Sequence, residues 1–324
     1  MKRVLVTGAN GFIGRHCLEP LLERGFEVHA VTRASRASSA SVHWHTADLL
    51  SDDDVRMLVS KVQPSHLLHL AWVTEAGSFW DAPENLQWVR AGITLLNSFV
   101  GCGGARITAA GTCAEYDWRF GYCSERMTAV RPDTLYGACK NSLREFAQAL
   151  DAEMGVSHAW GRVFQPYGPG EDPRKLVPYV IRQLLNEKTA TCSSGAQMRD
   201  FLYVSDVAGA LVALLDSDID GAVNIGSGHP ISIKRLAGMI AAQLDGRTGL
   251  AFEDPRPESR QAPLVFADLT RLRDELGWSP AVAIDRGLAL TIDSLRGQAT
   301  QLSSSVPTYA TRNRPRRPVA VQAV

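Results

Sequence analysis

The chain has 324 residues, of which 45% are apolar and 21% are charged, and its 34 basic and 34 acidic residues give a formal net charge of zero. This composition predicts a globular protein with a sizeable core and argues against a nucleic-acid-binding protein, which would carry a basic surface. The six cysteines lack the C-x-x-C spacing of a zinc site, and no apolar run approaches the ~20 residues of a membrane span. We therefore expect a cytoplasmic protein with reduced thiols, no bound metal and no membrane span.

Short apolar runs alternate with amphipathic segments through the first half of the chain. RVLVT, FEVHAVT, HLLHLA, ARITAAG and SHAWGRVF predict strands, and segments such as RHCLEPLLER and DDVRMLVSKV predict the helices between them. Continuous apolar strands separated by helices are typical of a parallel sheet that is covered on both faces. We predict an α/β fold, with a Rossmann-type doubly wound parallel sheet over residues 1–165 to which some later segments return.

The first predicted strand runs directly into TGANGFIGRH, which opens the first predicted helix. Glycines at a spacing of three permit a tight turn, let the backbone approach a pyrophosphate, and aim the N–H groups of the helix at its charge. The order of strand, glycine loop and helix therefore predicts a dinucleotide site. Its residues would be Gly8, Asn10, Gly11, Phe12, Ile13 and Gly14.

The end of the second predicted strand bears on the choice between NAD and NADP. A carboxylate at this point bonds the 2′-hydroxyl of the ribose and repels a 2′-phosphate, but VTRASRAS contains no acid. Arg33 and Arg36, helped by Ser35 and by Arg15, would instead hold a phosphate through charge-assisted hydrogen bonds. We favour NADP(H) and keep NAD(H) as the alternative, in which case these arginines are solvated loop side chains.

TLYGACKNSLREF places Tyr136 and Lys140 four residues apart, on one face of a predicted helix. A phenol has a pKa near ~10, and an adjacent ammonium together with the positive charge of a nicotinamide would lower it. We predict that Tyr136 is the general acid and base, and that Lys140 tunes its pKa and anchors the cofactor ribose.

These motifs resemble the extended short-chain dehydrogenase/reductase family, which contains the nucleotide-sugar epimerases, dehydratases and reductases. The glycine loop matches the family's T-G-x-x-G-x-x-G motif, and Tyr136 and Lys140 match its Y-x-x-x-K motif. Thr112 matches the hydroxyl residue that binds the reacting sugar oxygen in this family. The resemblance also assigns Asp48 and Leu49 to the adenine side of the cofactor site, and Leu70 and Ala71 to its pyrophosphate side.

Beyond residue 165 the pattern loosens, and residues 166–296 predict a smaller C-terminal α/β lobe. Its helices are expected near residues 175–186, 204–215, 232–244 and 268–276, with short strands such as AVNIG between them. Residues 297–324 contain four arginines, many Ser and Pro residues and no acid, so we expect a disordered basic tail. One interpretation is that these arginines contact a membrane surface or an acidic protein; they are Arg312, Arg314, Arg316 and Arg317.

The second half resembles the family's nucleotide-sugar lobe, which implies a sugar linked to a nucleoside diphosphate as the substrate. GRVFQPYGPG stands where relatives often read R-x-F-N-x-Y-G-P, with Gln165 in place of Asn. MRDFLYVSDV matches R-D-F-x-x-V-x-D, and PRPESRQAP matches the C-terminal pattern. Arg199 and Arg256 would thus bind the diphosphate through paired N–H donors, with Arg260 as a competitor of Arg256.

The resemblance carries three further assignments. It adds Thr74 and Thr112 to the substrate-binding residues, and it implies a homodimer through helices near residues 83–102 and 135–151. Trp88 departs from the family pattern, because relatives often carry Asn at this position.

Three reactions share this scaffold, and the residues after Thr112 bear on the choice. Dehydration needs a second acid and base, which family dehydratases carry directly after the threonine, but this chain has Cys113 and Ala114 there. Glu115 comes one position later, and one step along a strand turns a side chain to the opposite face unless a bulge intervenes. We therefore set dehydration aside.

Reduction and epimerisation remain. The acid-free VTRASR and a resemblance to the branch of CDP-abequose and CDP-paratose synthases favour a 4-ketoreductase of an NDP-4-keto-6-deoxyhexose. The alternative is an NDP-sugar C4 epimerase with tightly bound NAD. An alternative of another class is a non-catalytic NAD(P)-sensing protein.

Overall fold

The computed structural model describes residues 2–244, 249–253 and 262–304. They form one large sheet, three smaller sheets and the helices that pack on them. In chain order the strands are β1 (Arg3–Thr7), β2 (Glu27–Thr32), β3 (Val42–Thr46), β4 (His66–His69), β5 (Arg106–Thr112), β6 (Tyr122–Cys123), β7 (Ser157–Val163), β8 (Gln165–Tyr167), β9 (Ala190–Cys192), β10 (Met198–Arg199), β11 (Phe201–Tyr203), β12 (Gly221–Ile225), β13 (Ile231–Ser232), β14 (Leu250–Phe252) and β15 (Leu264–Ala267). The helices are α1 (Gly14–Glu23), α2 (Asp52–Val62), α3 (Glu84–Gly101), α4 (Leu135–Met154), α5 (Leu176–Leu185), α6 (Val204–Leu215), α7 (Ile233–Ala242) and α8 (Ile284–Ser304).

The large sheet has seven parallel strands in the order β12-β7-β5-β4-β1-β2-β3. Strand order runs outward from β1 in both directions, so the carboxyl ends of β1 and β4 lie side by side at the point where the order reverses. One face is covered by α1 and α6, which pack together, and the other by α2, α3 and α4. This confirms the predicted Rossmann-type doubly wound sheet. In such sheets, ligands bind outside the carboxyl ends at the point of reversal.

Local signals explain where the helices of the large sheet begin and end. Ser51 caps α2 by accepting a hydrogen bond from the N–H of Asp54. The three aspartates of the first turn also stabilise α2, because they lie at the positive end of the helix dipole. Thr134 caps α4 in the same way, and Gly155 ends α4 in the left-handed conformation. The cap at Thr134 therefore sets the position of the first turns of α4.

The later strands form smaller sheets with the orders β13-β10-β15-β6, β8-β11 and β9-β14. Helices α5, α7 and α8 enclose a separate apolar core that includes Val180, Ile181, Leu236 and Leu288. The described helices include none that is long and apolar enough to cross a membrane.

The sequence-based assignment of elements was wrong at three places. Strand β3, VHWHT, was missed because it is a short edge strand in which three of the five residues are His or Thr, so it lacks the continuous apolar run of the other strands. The helix predicted at 268–276 is a single π turn, Arg271–Glu275. Helix α8 continues to Ser304, so the first part of the segment expected to be disordered is helical. The remainder of that segment, with its four arginines, lies outside the described residues.

Candidate active site

The loop after β1 is shaped for the close approach of other backbone. Gly8 has a φ of +71°, and a Cβ atom there would lie 2.7 Å from the amide nitrogen of Ala71. A Cβ atom at Gly14 would overlap with the carbonyl oxygen of Gly8. Thr7 joins the loop to the other predicted pyrophosphate segment, because its Oγ1 accepts hydrogen bonds from the amides of Leu70 and Ala71 at 3.1 and 3.2 Å. The two segments are therefore in direct contact.

This cradle fits the pyrophosphate of a dinucleotide. Phe12 and Ile13 follow in the loop and are half-buried, and α1 begins at Gly14. The first N–H groups of a helix lack partners within the helix and favour an anion in front of them. A side chain at Gly8 or Gly14 would collide with the backbone that forms this cradle.

Arg36 is held beside the glycine loop, at the carboxyl end of β2. Its Nη1 donates to Oδ1 of Asn10 at 2.8 Å, and its guanidinium carbon lies 4.2 Å from the ring centroid of Trp44. Nδ2 of Asn10 donates to Oγ1 of Thr32 at 2.8 Å, which fixes the asparagine. Arg33 is exposed nearby in the chain. The structure thus places one of the two predicted arginines against the predicted cofactor loop, and Trp44, which sequence reasoning missed, supports it.

The other predicted binding residues differ in their surroundings. Asp48 is exposed and its Oδ1 accepts the N–H of Leu50 at 3.1 Å, while Leu49 is buried. Thr74 is exposed in the loop after β4. Gln165 is buried, and its backbone N–H donates to the carbonyl oxygen of Asp200 at 3.0 Å. Arg256 lies outside the described residues, as does Arg260.

The three predicted catalytic residues come from two neighbouring elements, β5 and α4. Thr112 is the last residue of β5, and Tyr136 and Lys140 lie in the first turns of α4. Nζ of Lys140 donates to the carbonyl oxygen of Ala110 at 2.8 Å and lies 4.0 Å from the ring centroid of Trp72. Oγ1 of Thr112 accepts the N–H of Ala114 at 3.2 Å, so its own proton is available to another acceptor.

Burial dominates the acid–base properties of this group. It raises the pKa of Tyr136 above its usual range, and a hydrogen bond between Thr112 and the phenol only partly offsets this. Burial also lowers the pKa of Lys140 to about 7, although the negative charge of Glu115 opposes that shift. In the protein alone desolvation is the largest influence on the pKa of Tyr136. The lowering expected when Lys140 acts together with a bound nicotinamide stays a prediction.

Glu115 points into the core, away from the catalytic hydroxyl groups. Its Oε1 accepts the backbone N–H of Thr112 at 2.9 Å and Nε1 of Trp160 at 2.8 Å. Its Oε2 accepts a hydrogen bond from Nε of Arg162 at 2.7 Å, and both side chains of this ion pair are buried. Because β5 ends at Thr112 and Cys113–Glu115 form a 3-10 turn, neither strand alternation nor a bulge decides the direction of this carboxylate. The carboxylate fixes the turn that follows Thr112.

An aromatic wall lines the side of Tyr136, and sequence reasoning missed it. It consists of Phe79, Trp80 and Trp118. The ring centroid of Tyr136 lies 4.9 Å from that of Phe79 and 5.8 Å from that of Trp80, both edge-on. Nε1 of Trp118 donates to the carbonyl oxygen of Cys113 at 2.7 Å, which ties the wall to the catalytic segment. The available signal was the high density of aromatic residues in WVTEAGSFW.

The unexplained Trp88 has a packing role. It lies on α3 and its ring centroid is 6.3 Å from that of Trp72, the ring beneath Lys140. Nε1 of Trp72 donates to Oδ1 of the buried Asn85 at 2.8 Å. Residues of α3 therefore hold the indole that contacts Lys140.

Arg199 lies in β10, buried close to the catalytic segment. Its Nη1 donates to the carbonyl oxygen of Met198 at 2.9 Å. Burial lowers its pKa, while interaction with the neighbouring Cys113 raises it. A buried guanidinium beside this segment suits the predicted role of binding an anionic group of the substrate.

Comparisons with known proteins agree with this arrangement. A family model described as the NAD dependent epimerase/dehydratase family matches residues 4–226. UDP-glucuronic acid decarboxylase 1 of Xenopus tropicalis is 29% identical over 317 residues, which cover 91% of this chain and 72% of the relative. The dTDP-4-dehydro-6-deoxyglucose reductase of Escherichia coli is 24% identical over 310 residues, which cover 90% of this chain and 97% of the relative. A crystal structure of UDP-glucose 4-epimerase from Thermus thermophilus in complex with NAD matches with a TM-score of 0.78 and 26% identity, over 91% of this chain and 99% of that one.

Proposed function

The chain belongs to the NAD dependent epimerase/dehydratase family, and from this membership we propose that it is an NADP-dependent nucleotide-sugar reductase. Its substrate is a 4-keto-6-deoxyhexose linked to a nucleoside diphosphate. The observation that carries this proposal is the inward position of Glu115. Its carboxylate accepts hydrogen bonds from Thr112, Trp160 and Arg162 and so does not reach the substrate. Tyr136 is thereby left as the acid beside Thr112, which is sufficient for reducing a ketone.

The protonation state of Tyr136 suits this direction of reaction. Burial raises the pKa of the phenol, so it carries its proton at neutral pH and can donate it to an oxygen that becomes negative. Thr112, whose hydroxyl hydrogen-bonds the phenol of Tyr136 in the protein alone, turns its proton to the same substrate oxygen. When bound, a reduced nicotinamide cofactor supplies the hydride that adds to the carbonyl carbon. The ketone gains this hydride and one proton from Tyr136, and the product is an alcohol.

The aromatic wall supports a deoxygenated sugar as the substrate. Trp80 is half-buried beside Tyr136 and offers an apolar surface that accepts a methyl group or a C–H edge without leaving a hydroxyl unpaired. Phe79 is buried, stacks on Trp80 and lies under Nζ of Lys175, so it supports this surface from within. A 6-deoxyhexose carries such a methyl group at C6. The Escherichia coli relative is named for a substrate of this type, dTDP-4-dehydro-6-deoxyglucose.

A spectrophotometric assay tests the proposed reaction. The protein is incubated with NADPH and a panel of nucleotide-linked 4-keto-6-deoxyhexoses, and absorbance of the reduced cofactor is followed. We expect consumption of NADPH in proportion to the alcohol formed. Interconversion of UDP-glucose and UDP-galactose without net consumption of cofactor would contradict the proposal and establish the epimerase.

One observation favours the epimerase as the second candidate. Arg36, the proposed partner of a 2′-phosphate, already donates to Asn10, and the epimerase structure from Thermus thermophilus contains NAD. A cofactor without the 2′-phosphate would leave this contact intact.

The variant Arg36→Ala separates the two cofactors. We expect KM for NADPH to rise by about 10- to 100-fold, since a hydrogen bond to a charged group contributes roughly 1.5–3 kcal/mol. KM for NADH should change little. Arg56→Ala, on the exposed surface of α2, is the control. An equal rise for both cofactors in Arg36→Ala would exclude its role at the 2′-phosphate.

We further propose that the protein acts as a homodimer in the cytoplasm. Helices α3 and α4, which pack side by side, are the elements through which the resembled family dimerises. A reducing compartment agrees with the six cysteines, all of which are free thiols.

A further inference from the structure

A compact group of imidazoles and one carboxylate lies at the edge of the large sheet. Glu27 and His29 are two residues apart on β2, and His43 and His45 are two residues apart on β3. Residues at this spacing point to the same face of a sheet, and neighbouring strands lie ~4.8 Å apart. Parallel pairing sets His29 directly opposite His43. These four residues, termed the histidine cluster, include three of the eight histidines in the chain.

The side chains of the cluster converge. One nitrogen or oxygen atom from each of Glu27, His29 and His43 lies within 4.8 Å of the corresponding atoms of the other two. Nε2 of His29 is 2.9 Å from Oε1 of Glu27. Bonds of ~2.0–2.2 Å from nitrogen and oxygen to Zn²⁺ would fit between these atoms after small side-chain rotations.

His45 supports His29 through a hydrogen bond between their rings. With Nε2 of His29 directed at Glu27, the other ring nitrogen, Nδ1, lies 2.9 Å from Nε2 of His45. A histidine that binds a metal normally uses its second nitrogen in such a hydrogen bond, which fixes the orientation of the ring.

Charged neighbours of the cluster both orient its carboxylate and oppose the binding of a cation. Oε2 of Glu27 accepts Nε of Arg3 at 3.1 Å, which orients the carboxylate but adds a positive charge. Lys61 of α2 adds another near His45. Three protein ligands with one negative charge therefore face two cations. This predicts moderate rather than extreme affinity for a metal ion.

We propose that Glu27, His29 and His43 form a binding site for a divalent transition-metal ion such as Zn²⁺, with His45 supporting His29. Imidazole and carboxylate are ligands that suit Zn²⁺, and three protein ligands leave positions for water. Such an ion would join the edge strand β3 to β2 through side chains. This proposal does not depend on the reaction that the enzyme catalyses.

Metal titration of the full chain, freed of histidine tags and treated with a chelator, tests the site. We expect isothermal titration with Zn²⁺ to show one saturable site per chain, and Co²⁺ to give visible absorption bands of a nitrogen- and oxygen-ligated ion. Glu27→Gln and His43→Ala should each abolish this binding. His45→Ala should weaken it by about 10-fold or more, the usual effect of losing a supporting residue.

The control is His229→Ala, which removes an exposed histidine far along the chain from the cluster. It should bind Zn²⁺ as the unaltered protein does. Far-ultraviolet circular dichroism of each variant establishes that it is folded. Absence of saturable binding in the unaltered protein, or binding that survives in both Glu27→Gln and His43→Ala, would overturn the proposal.

Discussion

Turnover is expected to fall by about 10²- to 10⁴-fold when Tyr136 is replaced by Phe, which is the usual contribution of a positioned general acid. Phe keeps the ring and its edge-on contacts with Phe79 and Trp80, and removes only the hydroxyl that Thr112 bonds. Cofactor affinity should stay unchanged. Steady-state assays with NADPH, together with a fluorescence titration of the cofactor, measure the two quantities separately.

Tyr122→Phe is the matched control, since Tyr122 is exposed on β6 and its ring packs on Phe266. It should keep full activity. Undiminished turnover in Tyr136→Phe would remove the proposed mechanism. An unaltered protein that binds NADPH tightly but reduces no sugar in the panel would point instead to the non-catalytic sensing protein.

A loss of roughly 3–5 kcal/mol in the free energy of unfolding is expected for Glu115→Ala, because it leaves the guanidinium of Arg162 buried without its partner. The substitution also removes the acceptor of the Trp160 indole and of the Thr112 amide. Urea denaturation followed by circular dichroism measures the loss. Residual folded protein should have low activity, because the turn that carries Thr112 is no longer fixed.

Glu145→Ala provides the comparison for an exposed ion pair. Glu145 is 62% exposed and pairs with Arg144 on the surface of α4, so its loss should cost less than about 1 kcal/mol. Equal effects of the two substitutions would contradict the view that the buried pair of Glu115 and Arg162 holds the catalytic turn.

Much of the cofactor site could be predicted from sequence because its requirements are local. Gly8 and Gly14 are needed where backbone meets backbone, and such contacts follow from the order of strand, loop and helix. The same holds for Tyr136 and Lys140, whose spacing on one helix decides which face they share. Glu115 contacts Trp160 and Arg162, but strand alternation is not the reason, because β5 ends at Thr112 and Cys113–Glu115 form a short 3-10 turn.

Other features depend on residues far apart in the chain. Trp80 and Trp118 meet beside Tyr136 only because separate loops fold over the end of the sheet. The pKa of Tyr136 depends on how completely these loops exclude water, which no local pattern reveals. Strand β3 was not predicted because His43 and His45 take positions where the other strands of the sheet carry buried apolar residues.

The packing around Ala114 has a consequence for how such enzymes change their chemistry in evolution. Ala114 is buried against Phe79 and Tyr136, so a carboxylate introduced there would lose its hydration against an aromatic surface without gaining a partner. We therefore expect that a dehydratase-type acid at position 114 would also need changes in the aromatic wall, so that a single substitution at Ala114 would not add dehydration to the proposed reductase.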